Sequence, residues 1–281
     1  MTDPKQLPYL LRLLDDESPF VRETVLAELD AFGPSLEDEL ARLAIPPSAD
    51  QQRVIRGLLE NHNRAWLKEA WPGWFSLHDD KKKLESGLSL LAEFQLGRHY
   101  PVRLATLLTQ LAQEFNARHG SGGARELSGF LFQTKGLSGN RSDYYNPMNS
   151  NLVYVIEQKH GIPISLACVY ILIGHRLGLD IEGCNVPGHF LARAYLSGRK
   201  VVVDCFNGGM FLNESDLTRL NNTVPVTMDD ITSLECGATT IIARVLRNLV
   251  NAYHLASDEA NKKLMAELLH MLEGVEKDSP E

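Results

Sequence analysis

Cysteine is scarce in this sequence, and the cysteines present are not spaced as pairs. They are Cys168, Cys184, Cys205 and Cys236, which leaves no CxxC motif. This spacing disfavours a structural zinc site and a dithiol redox site, and it fits a reduced, cytosolic setting. Long apolar runs are missing as well. The longest, LACVYILIG, is far too short to cross a bilayer as a helix, so no membrane partner is expected.

Positive charge is in deficit. Lys and Arg total 28 against 36 Asp and Glu, which gives a formal net charge of -8 at pH 7. An anionic surface repels phosphate backbones, and the basic run at residues 81–83 directly follows two aspartates, which indicates a solvated helix start. We therefore expect no nucleic-acid partner. The stretch MTDPKQLPYLL lacks the basic segment and apolar run of a secretory signal, so a cytoplasmic location is expected.

The sequence also lacks the usual signatures of metal ions and cofactors. His160, His175 and His189 fall in separate predicted elements without HxxxH or HxH spacing, so they do not predict a metal site. The glycine-rich stretch HGSGGAREL lacks the GxxxxGK[ST] order of a phosphate-binding loop, and no strand precedes it. We expect neither a metal nor a cofactor.

The hydrophobic pattern divides the chain into three predicted parts. Residues 1–75 contain amphipathic helices, and their DDESPFVR turn resembles that of a HEAT-type helical repeat. Residues 76–235 hold the predicted core. Residues 236–281 form a predicted helical hairpin with a charged outer face.

The predicted core contains one segment that is apolar almost all round, GIPISLACVYILIGHRLGL. Pro163 suits the first turn of a helix and Gly178 suits its end, so this segment predicts a buried helix. A shorter helix, capped by Asn149 or Ser150, is expected before it. Strand-like runs follow at residues 181–186, 189–196 and 201–206.

These elements carry a resemblance to a known family. The stretches NRSDYYNPMNSNLVYVIEQKHGIPISLACVYILIGHRLGL and NVPGHFLARAYLSGRKVVVDCFNGG resemble the SirB-type branch of the transglutaminase-like superfamily, over about residues 84–217. The resemblance implies an α+β, papain-like core with an antiparallel sheet against a buried helix. It also implies a nucleophile at a helix start, a histidine on one strand and an aspartate on the next. The C-terminal hairpin resembles the tetratricopeptide-like tail of the same branch.

Strand geometry tests whether His189 and Asp204 can meet. If Ser197 and Gly198 form a two-residue turn, Asp204 lies opposite Leu191 and diagonal to His189, on the same face of the sheet. The carboxylate can then accept from one imidazole nitrogen and leave the other as a base. The alternative is a buried histidine whose hydrogen bond to the carboxylate contributes only to folding.

The sequence departs from the superfamily at the nucleophile. Counted back from the RLG that ends the buried helix, the usual cysteine position corresponds to Pro163, which has no nucleophilic atom. Ser165 lies in the first helical turn, where backbone N–H groups can stabilise an oxyanion, or its hydroxyl can satisfy the helix start instead. Cys168 lies about 140° round the helix from Pro163, and Cys205 points to the strand face opposite Asp204, so neither cysteine is a good candidate for the nucleophile.

Several further residues are predicted to line or support the cleft. Asn146, Asn149 and Ser150 match the NPxNS motif of the branch, with helix capping as the alternative role. Gly188 permits a close approach or unusual dihedral angles. Asn207, which two glycines follow, can bind a polar ligand or form a plain turn.

Two functions of different classes follow from these residues. The first is a pseudoenzyme or regulatory protein that binds a peptide or protein in the cleft without covalent catalysis. The second is an amide hydrolase or acyl transferase with Ser165 as nucleophile, His189 as base and Asp204 as the orienting residue. Hydrolysis by water, with His189 as general base and no enzyme nucleophile, is also chemically permissible.

Overall fold

The computed structural model describes residues 3–186, 188–196, 198–213, 215–217 and 236–277. The chain forms two compact units, Met1–Pro72 with Leu96–Pro101, and Gly73–Gln95 with Val102–Glu281. The larger unit holds His189, Asp204 and the other candidate site residues. The division into three parts, with boundaries at residues 75 and 235, stays a prediction.

The smaller unit is helical, with α1 (Leu7–Leu13), α2 (Pro19–Asp30), α3 (Leu36–Ala41) and α4 (Ala49–Ala70). Pro19 opens α2, and a capping box between Ser48 and Gln51 opens α4. The apolar side chains of this unit share one buried cluster: Leu7, Leu11, Leu14, Val25, Leu29, Phe32, Leu36, Leu40 and Ile55. The likeness of α1 and α2 to a HEAT repeat stays a prediction.

The larger unit begins with α5 (Asp80–Leu96), α6 (Leu104–His119), α7 (Ala124–Ser128) and α8 (Leu152–Gln158). These helices precede α9 (Pro163–Arg176), in which every residue from Pro163 to Gly174 is buried. This burial is the predicted consequence of an apolar sequence on all sides of the helix. Helix α9 contacts α6 and α8, so it forms the centre of the unit.

A short parallel pair of strands leads into α9. Strand β1 (Ser138–Gly139) pairs with β2 (His160–Gly161), and the Asn140 N–H donates to the Gly161 carbonyl oxygen at 2.8 Å. This pair was not predicted, because strands this short leave no alternating apolar pattern. It holds residues 138–140 beside the entrance to α9.

The main sheet is antiparallel, with the strand order β3 (Ile181–Val186), β4 (His189–Leu196), β5 (Arg199–Asp204) and β6 (Met210–Leu212). Helix α9 packs against β3 and β4. Gly174 permits this close packing, because a Cβ at that position would lie 2.6 Å from Cδ1 of Ile181. The expected α+β fold, with an antiparallel sheet against a buried helix, is confirmed.

The register of β4 and β5 follows the two-residue turn that the sequence suggested. Ala192 pairs with Val203 and Leu196 pairs with Arg199, so continuing the ladder places Asp204 opposite Leu191. Gly198 has a φ of +79°, as tight hairpin turns require. Ser197, the other predicted turn residue, lies outside the described residues.

Helices α10 (Ala238–Leu255) and α11 (Glu259–Lys277) form the expected C-terminal hairpin. The Asp80 carboxylate accepts from the Ala238 N–H at the start of α10. The likeness of this hairpin to a tetratricopeptide repeat stays a prediction. In the part of the chain that the structure describes, no helix has the length and apolar character needed to span a membrane.

Candidate functional site

His189 and Asp204 meet at one end of the sheet. His189 is the first residue of β4 and Asp204 is the last residue of β5. Their side chains share one face, and His189 Nε2 lies 3.0 Å from Asp204 Oδ2. The two atoms are at hydrogen-bond distance, although Nε2 falls short of an aligned hydrogen bond. The two side chains are therefore adjacent, while the catalytic role of the pair stays a proposal.

Asp204 is a buried carboxylate that N–H groups surround. It is 1% exposed, and burial raises the pKa of a carboxyl group. His189 and Asn207 oppose this effect. The Asn207 backbone N–H donates to Oδ1 at 3.1 Å and its Nδ2 donates to Oδ2 at 2.7 Å. Together they hold the pKa of Asp204 below its ordinary value, so the group is negatively charged at neutral pH.

The position of Asp204 decides which imidazole nitrogen remains for a ligand. A carboxylate next to Nε2 favours a proton on that nitrogen, because a bare lone pair there would face a negative charge. In the neutral ring, Nδ1 is then unprotonated and can accept a hydrogen bond or a proton. The His189 side chain is 16% exposed, so part of the ring is accessible.

Hydrogen bonds in the turn after β5 fix the backbone of Asp204. The Gly209 N–H donates to the Asp204 carbonyl oxygen at 2.9 Å, and the buried Ser128 hydroxyl donates to the Gly209 carbonyl oxygen at 2.8 Å. Gly208 and Gly209 have φ values of +75° and +71°, which L side chains rarely adopt. Asn207 directs its N–H groups at Asp204 from this turn, so it supports the carboxylate.

Asn149 organises a loop that borders the pair. It is fully buried, and its Nδ2 donates to the carbonyl oxygens of Asp143 and Tyr144 at 2.6 and 3.0 Å. Its Oδ1 accepts from Asn140 Nδ2 at 3.0 Å. A side chain this deeply buried does not line a cleft. Its contribution is to fix the conformation of residues 140–144.

The helix cap predicted at Asn149 or Ser150 is wrong. Asn151 caps α8, because its Oδ1 accepts two backbone N–H groups of the first turn at 3.1 and 3.2 Å. Asn149 and Ser150 are buried in a 3-10 turn before the helix. Asn146 caps that turn at 2.9 Å and is only partly buried. The additional 3-10 turn moves the start of α8 along the chain.

The wall beside His189 is aromatic. The Phe206 ring packs edge-on against His189 and Tyr144, with centroid distances of 6.4 and 6.0 Å. It also lies against the backbone of Gly139, where an added Cβ would be 2.5 Å from the ring. The Arg141 guanidinium lies 5.0 Å from the Phe206 centroid. His189, Phe206 and Tyr144 form a ring cluster, of which only His189 was singled out from the sequence.

The start of α9 is tightly closed. Pro163 is buried at the first helical position. The Ser165 hydroxyl accepts from the Ile162 N–H and donates to the Ile162 carbonyl oxygen, each at 3.0 Å, and the residue is 1% exposed. Gly161 leaves space for this hydroxyl, because a Cβ there would be 2.7 Å from Ser165 Oγ. These contacts match a role in hydrogen-bonding the backbone groups at the helix start. The nucleophilic role of Ser165 stays a prediction.

The cysteines are buried free thiols. Burial raises the pKa of Cys184 to about 12 and that of Cys236 to about 11. It also raises the pKa of Cys168 and Cys205. Because the thiolate is the nucleophilic form, none of these thiols is activated at neutral pH.

Gly188 precedes His189 in the turn between β3 and β4. Its φ is +77°, and an added Cβ would meet nothing within 4 Å. A backbone conformation, rather than a close approach, therefore accounts for glycine at this position.

The described side chains around the pair do not form a metal site. Within the described ranges, no group of three or more His, Cys, Asp or Glu residues is placed to hold a metal ion. Asp204 accepts instead from the N–H groups of Asn207 on both of its carboxylate oxygens.

Comparison with known proteins shows which family this chain resembles. A family model described as "Transglutaminase-like superfamily" matches residues 98–247. A UPF0162 protein of Xylella fastidiosa (strain 9a5c) is 40% identical over 133 residues, 44% of this chain and 46% of that protein. The F-box only protein 21 of Homo sapiens is 36% identical over 77 residues, 27% of this chain and 12% of that protein. The chain thus spans about half the length, or less, of these relatives. No solved structure matches it.

Proposed function

Because this chain belongs to the transglutaminase-like superfamily, we propose that it binds a peptide or protein segment in the cleft predicted at His189 and Asp204, without forming a covalent intermediate. The observation that carries this proposal is the combination of a paired histidine and aspartate with a closed helix start. The pair is held at 3.0 Å, and the Ser165 hydroxyl is bonded to Ile162. By the resemblance to the superfamily, Pro163 occupies the position of its cysteine. The pair supplies polar recognition, while the four cysteines are buried and the Ser165 hydroxyl is bonded within its own helix start.

A peptide backbone fits the chemistry of this cleft. With Asp204 beside Nε2, His189 presents Nδ1 as an acceptor, for which a peptide N–H is a suitable donor. Exposed aromatic rings contribute apolar contact area at low cost in side-chain entropy. Tyr144 is 38% exposed beside the pair, and its ring can cover an apolar side chain of a bound segment.

The proposal extends to the rest of the chain. We assign it to the SirB-type branch on the stretches NRSDYYNPMNS and VPGHFLAR, with a HEAT-like N-terminal segment and a tetratricopeptide-like C-terminal hairpin. Helical repeats commonly present surfaces for protein contacts. The buried free thiols fit a reduced compartment, which supports a cytosolic location.

Peptide selection with a blocked cleft tests the proposal. A random peptide library is selected on the intact protein, and the affinity of the selected peptides is measured by fluorescence anisotropy. The His189→Trp variant fills the cleft, and His254→Trp, on the exposed surface of α10, is the matched control. We expect unchanged affinity for the His254 variant and at least about tenfold weaker binding to the His189 variant. Equal binding to both variants would contradict the proposal.

The alternative function, acyl transfer through Ser165, predicts a different result. The protein is incubated with a fluorophosphonate probe, and its intact mass is measured. We expect no adduct on Ser165. An adduct that disappears in the His189→Ala variant would replace non-covalent binding with catalysis.

A further inference from the structure

Arg244 brings a positive charge to the hairpin that carries His189. From α10, its Nη1 donates to the Val186 carbonyl oxygen at 2.9 Å and to the Asn185 side chain. Its guanidinium also lies 5.6 Å from the Phe190 ring. These partners are all neutral, and no carboxylate of the described residues forms an ion pair with it. Because Val186 pairs with His189 in the sheet, this charge is held on the strand next to His189.

Arg141 brings a second positive charge to the ring cluster. Its exposed side chain donates to Asn207 Oδ1 and lies over the Phe206 ring. Asn207 is bonded in turn to Asp204, so Arg141 is attached to the turn that supports the pair. In the described part of the chain, Arg141 likewise has no carboxylate partner.

Two carboxylates of this region, Asp204 and Asp143, accept hydrogen bonds from amide groups and form no ion pair with either arginine. Asp204 is buried against His189 and Asn207, and Asp143 accepts from Asn146 Nδ2 at 2.8 Å. The Phe206 ring, over which Arg141 lies, packs edge-on against His189. His189 pairs in the sheet with Val186, whose carbonyl oxygen accepts from Arg244. Arg141 and Arg244 are therefore each connected to His189 through one intervening residue, Phe206 and Val186 respectively.

We propose that the surface around His189 selects an acidic peptide segment, in which side-chain carboxylates pair with Arg141 and Arg244 while the backbone lies along the ring cluster. This inference rests on the proposed peptide binding and names the chemistry of the peptide. Arginine suits the role, because its planar fork of donors pairs with carboxylates in a bidentate geometry. A guanidinium that forms no ion pair with the described carboxylates gains most from a ligand that supplies a carboxylate.

The net negative charge of the protein and the screening of charges by salt together favour a short acidic ligand over a long one. The net charge of -8 repels a long polyanion. At physiological ionic strength, however, charges are screened beyond about 8 Å, so a short segment senses the two arginines rather than the distant acids. The surface therefore favours a peptide with a few well-placed carboxylates over a nucleic acid.

A set of blocked peptides tests the proposal. The parent is a short fluorescein-labelled peptide of alternating Glu and Tyr with an amidated C-terminus. Its relatives replace every Glu by Gln or by Lys, and a further Gln version carries a free C-terminal carboxylate. Anisotropy titrations use the wild type, Arg141→Gln, Arg141→Glu and Arg244→Lys, with circular dichroism to verify folding. Arg199→Gln, an exposed arginine at the far end of β5, is the control.

We expect the acidic peptide to bind the wild type and the Arg199 variant at least about tenfold more tightly than the Gln peptide. Arg141→Gln should weaken acidic binding about threefold or more, since it loses one charged contact. Arg141→Glu should shift preference towards the Lys peptide, a gain that misfolding cannot produce. Arg244→Lys keeps the charge but loses the planar fork, and it should weaken acidic binding without abolishing it.

Two results would overturn the acidic selectivity while leaving peptide binding intact. One is equal affinity for the Glu and Gln peptides, with both lost in His189→Trp. The other is a free C-terminal carboxylate that binds as tightly as the acidic side chains. If no peptide of any charge distinguishes the wild type from His189→Trp, peptide binding in this cleft itself fails.

Discussion

Replacing Asp204 with asparagine tests the polar centre of the cleft through stability. The buried carboxylate faces two donors at Oδ2, His189 Nε2 at 3.0 Å and Asn207 Nδ2 at 2.7 Å, and one donor at Oδ1, the Asn207 backbone N–H at 3.1 Å. An asparagine keeps one oxygen and turns the other position into an NH2 group. In either orientation, that NH2 group faces at least one donor.

The size of the effect follows from this count. A hydrogen bond to a charged group contributes about 1.5–3 kcal/mol. Asp204→Asn loses one such bond and the charge that strengthens the others, so we expect the free energy of unfolding to fall by about 2–3 kcal/mol at pH 7. Urea unfolding followed by circular dichroism measures this difference. Asp180→Asn, at an exposed position before β3, is the matched control and should change stability by less than about 0.5 kcal/mol.

The pH dependence separates charge from shape. The pKa of Asp204 is lowered in the folded protein, so its contribution is present above the ordinary pKa of aspartate, 3.8. It is lost as the pH falls through the lower, folded-state value. The difference between wild type and Asp204→Asn should therefore shrink below about pH 4. A difference under about 0.5 kcal/mol at pH 7, or one that persists unchanged at low pH, would refute this reasoning.

Other substitutions probe the supports of the cleft. Gly139→Ala should lower the free energy of unfolding by about 1–3 kcal/mol in urea melts, because its Cβ would lie 2.5 Å from an aromatic ring. Gly129→Ala, with open space around it, should not. Ser165→Ala should cost about 1 kcal/mol and leave the affinity of selected peptides unchanged; a tenfold loss of affinity would contradict its structural role. Asn149→Ala should speed amide hydrogen exchange in residues 140–144, and unchanged protection there would contradict its role as their anchor.

Local sequence patterns were sufficient for the elements that carry the pair. Strands β3 and β4 begin and end where the sequence predicted, because each is a short run of strand-forming residues between turn signals. Strand β5 begins two residues before the predicted start, since Arg199 and Lys200 pair with Leu196 and Tyr195 despite their polarity. The approach of His189 to Asp204 could be predicted because side chains alternate between the two faces of a sheet and the turn between β4 and β5 has two residues.

The surroundings of the pair could not be predicted, because they come from distant segments. Arg244 reaches Val186 across 58 residues, and the Phe206 ring meets Gly139 in a strand too short to leave a periodic pattern. The cap at Asn151 was missed because Asn146, Asn149 and Asn151 are equally good caps by residue type. Only the additional 3-10 turn decides among them.

Alkylation of an introduced cysteine tests most directly the proposal that Pro163 occupies the nucleophile position beside His189 and Asp204. The rate of iodoacetamide modification is measured by mass spectrometry for Pro163→Cys and Ser165→Cys, each with His189 and with His189→Ala. We predict that Cys at position 163 reacts faster than the four buried native thiols, because a helix start and an imidazole stabilise a thiolate. The His189→Ala change should slow it at least about tenfold. An unreactive thiol at 163, or His189-dependent reactivity at 165 instead, would contradict the account.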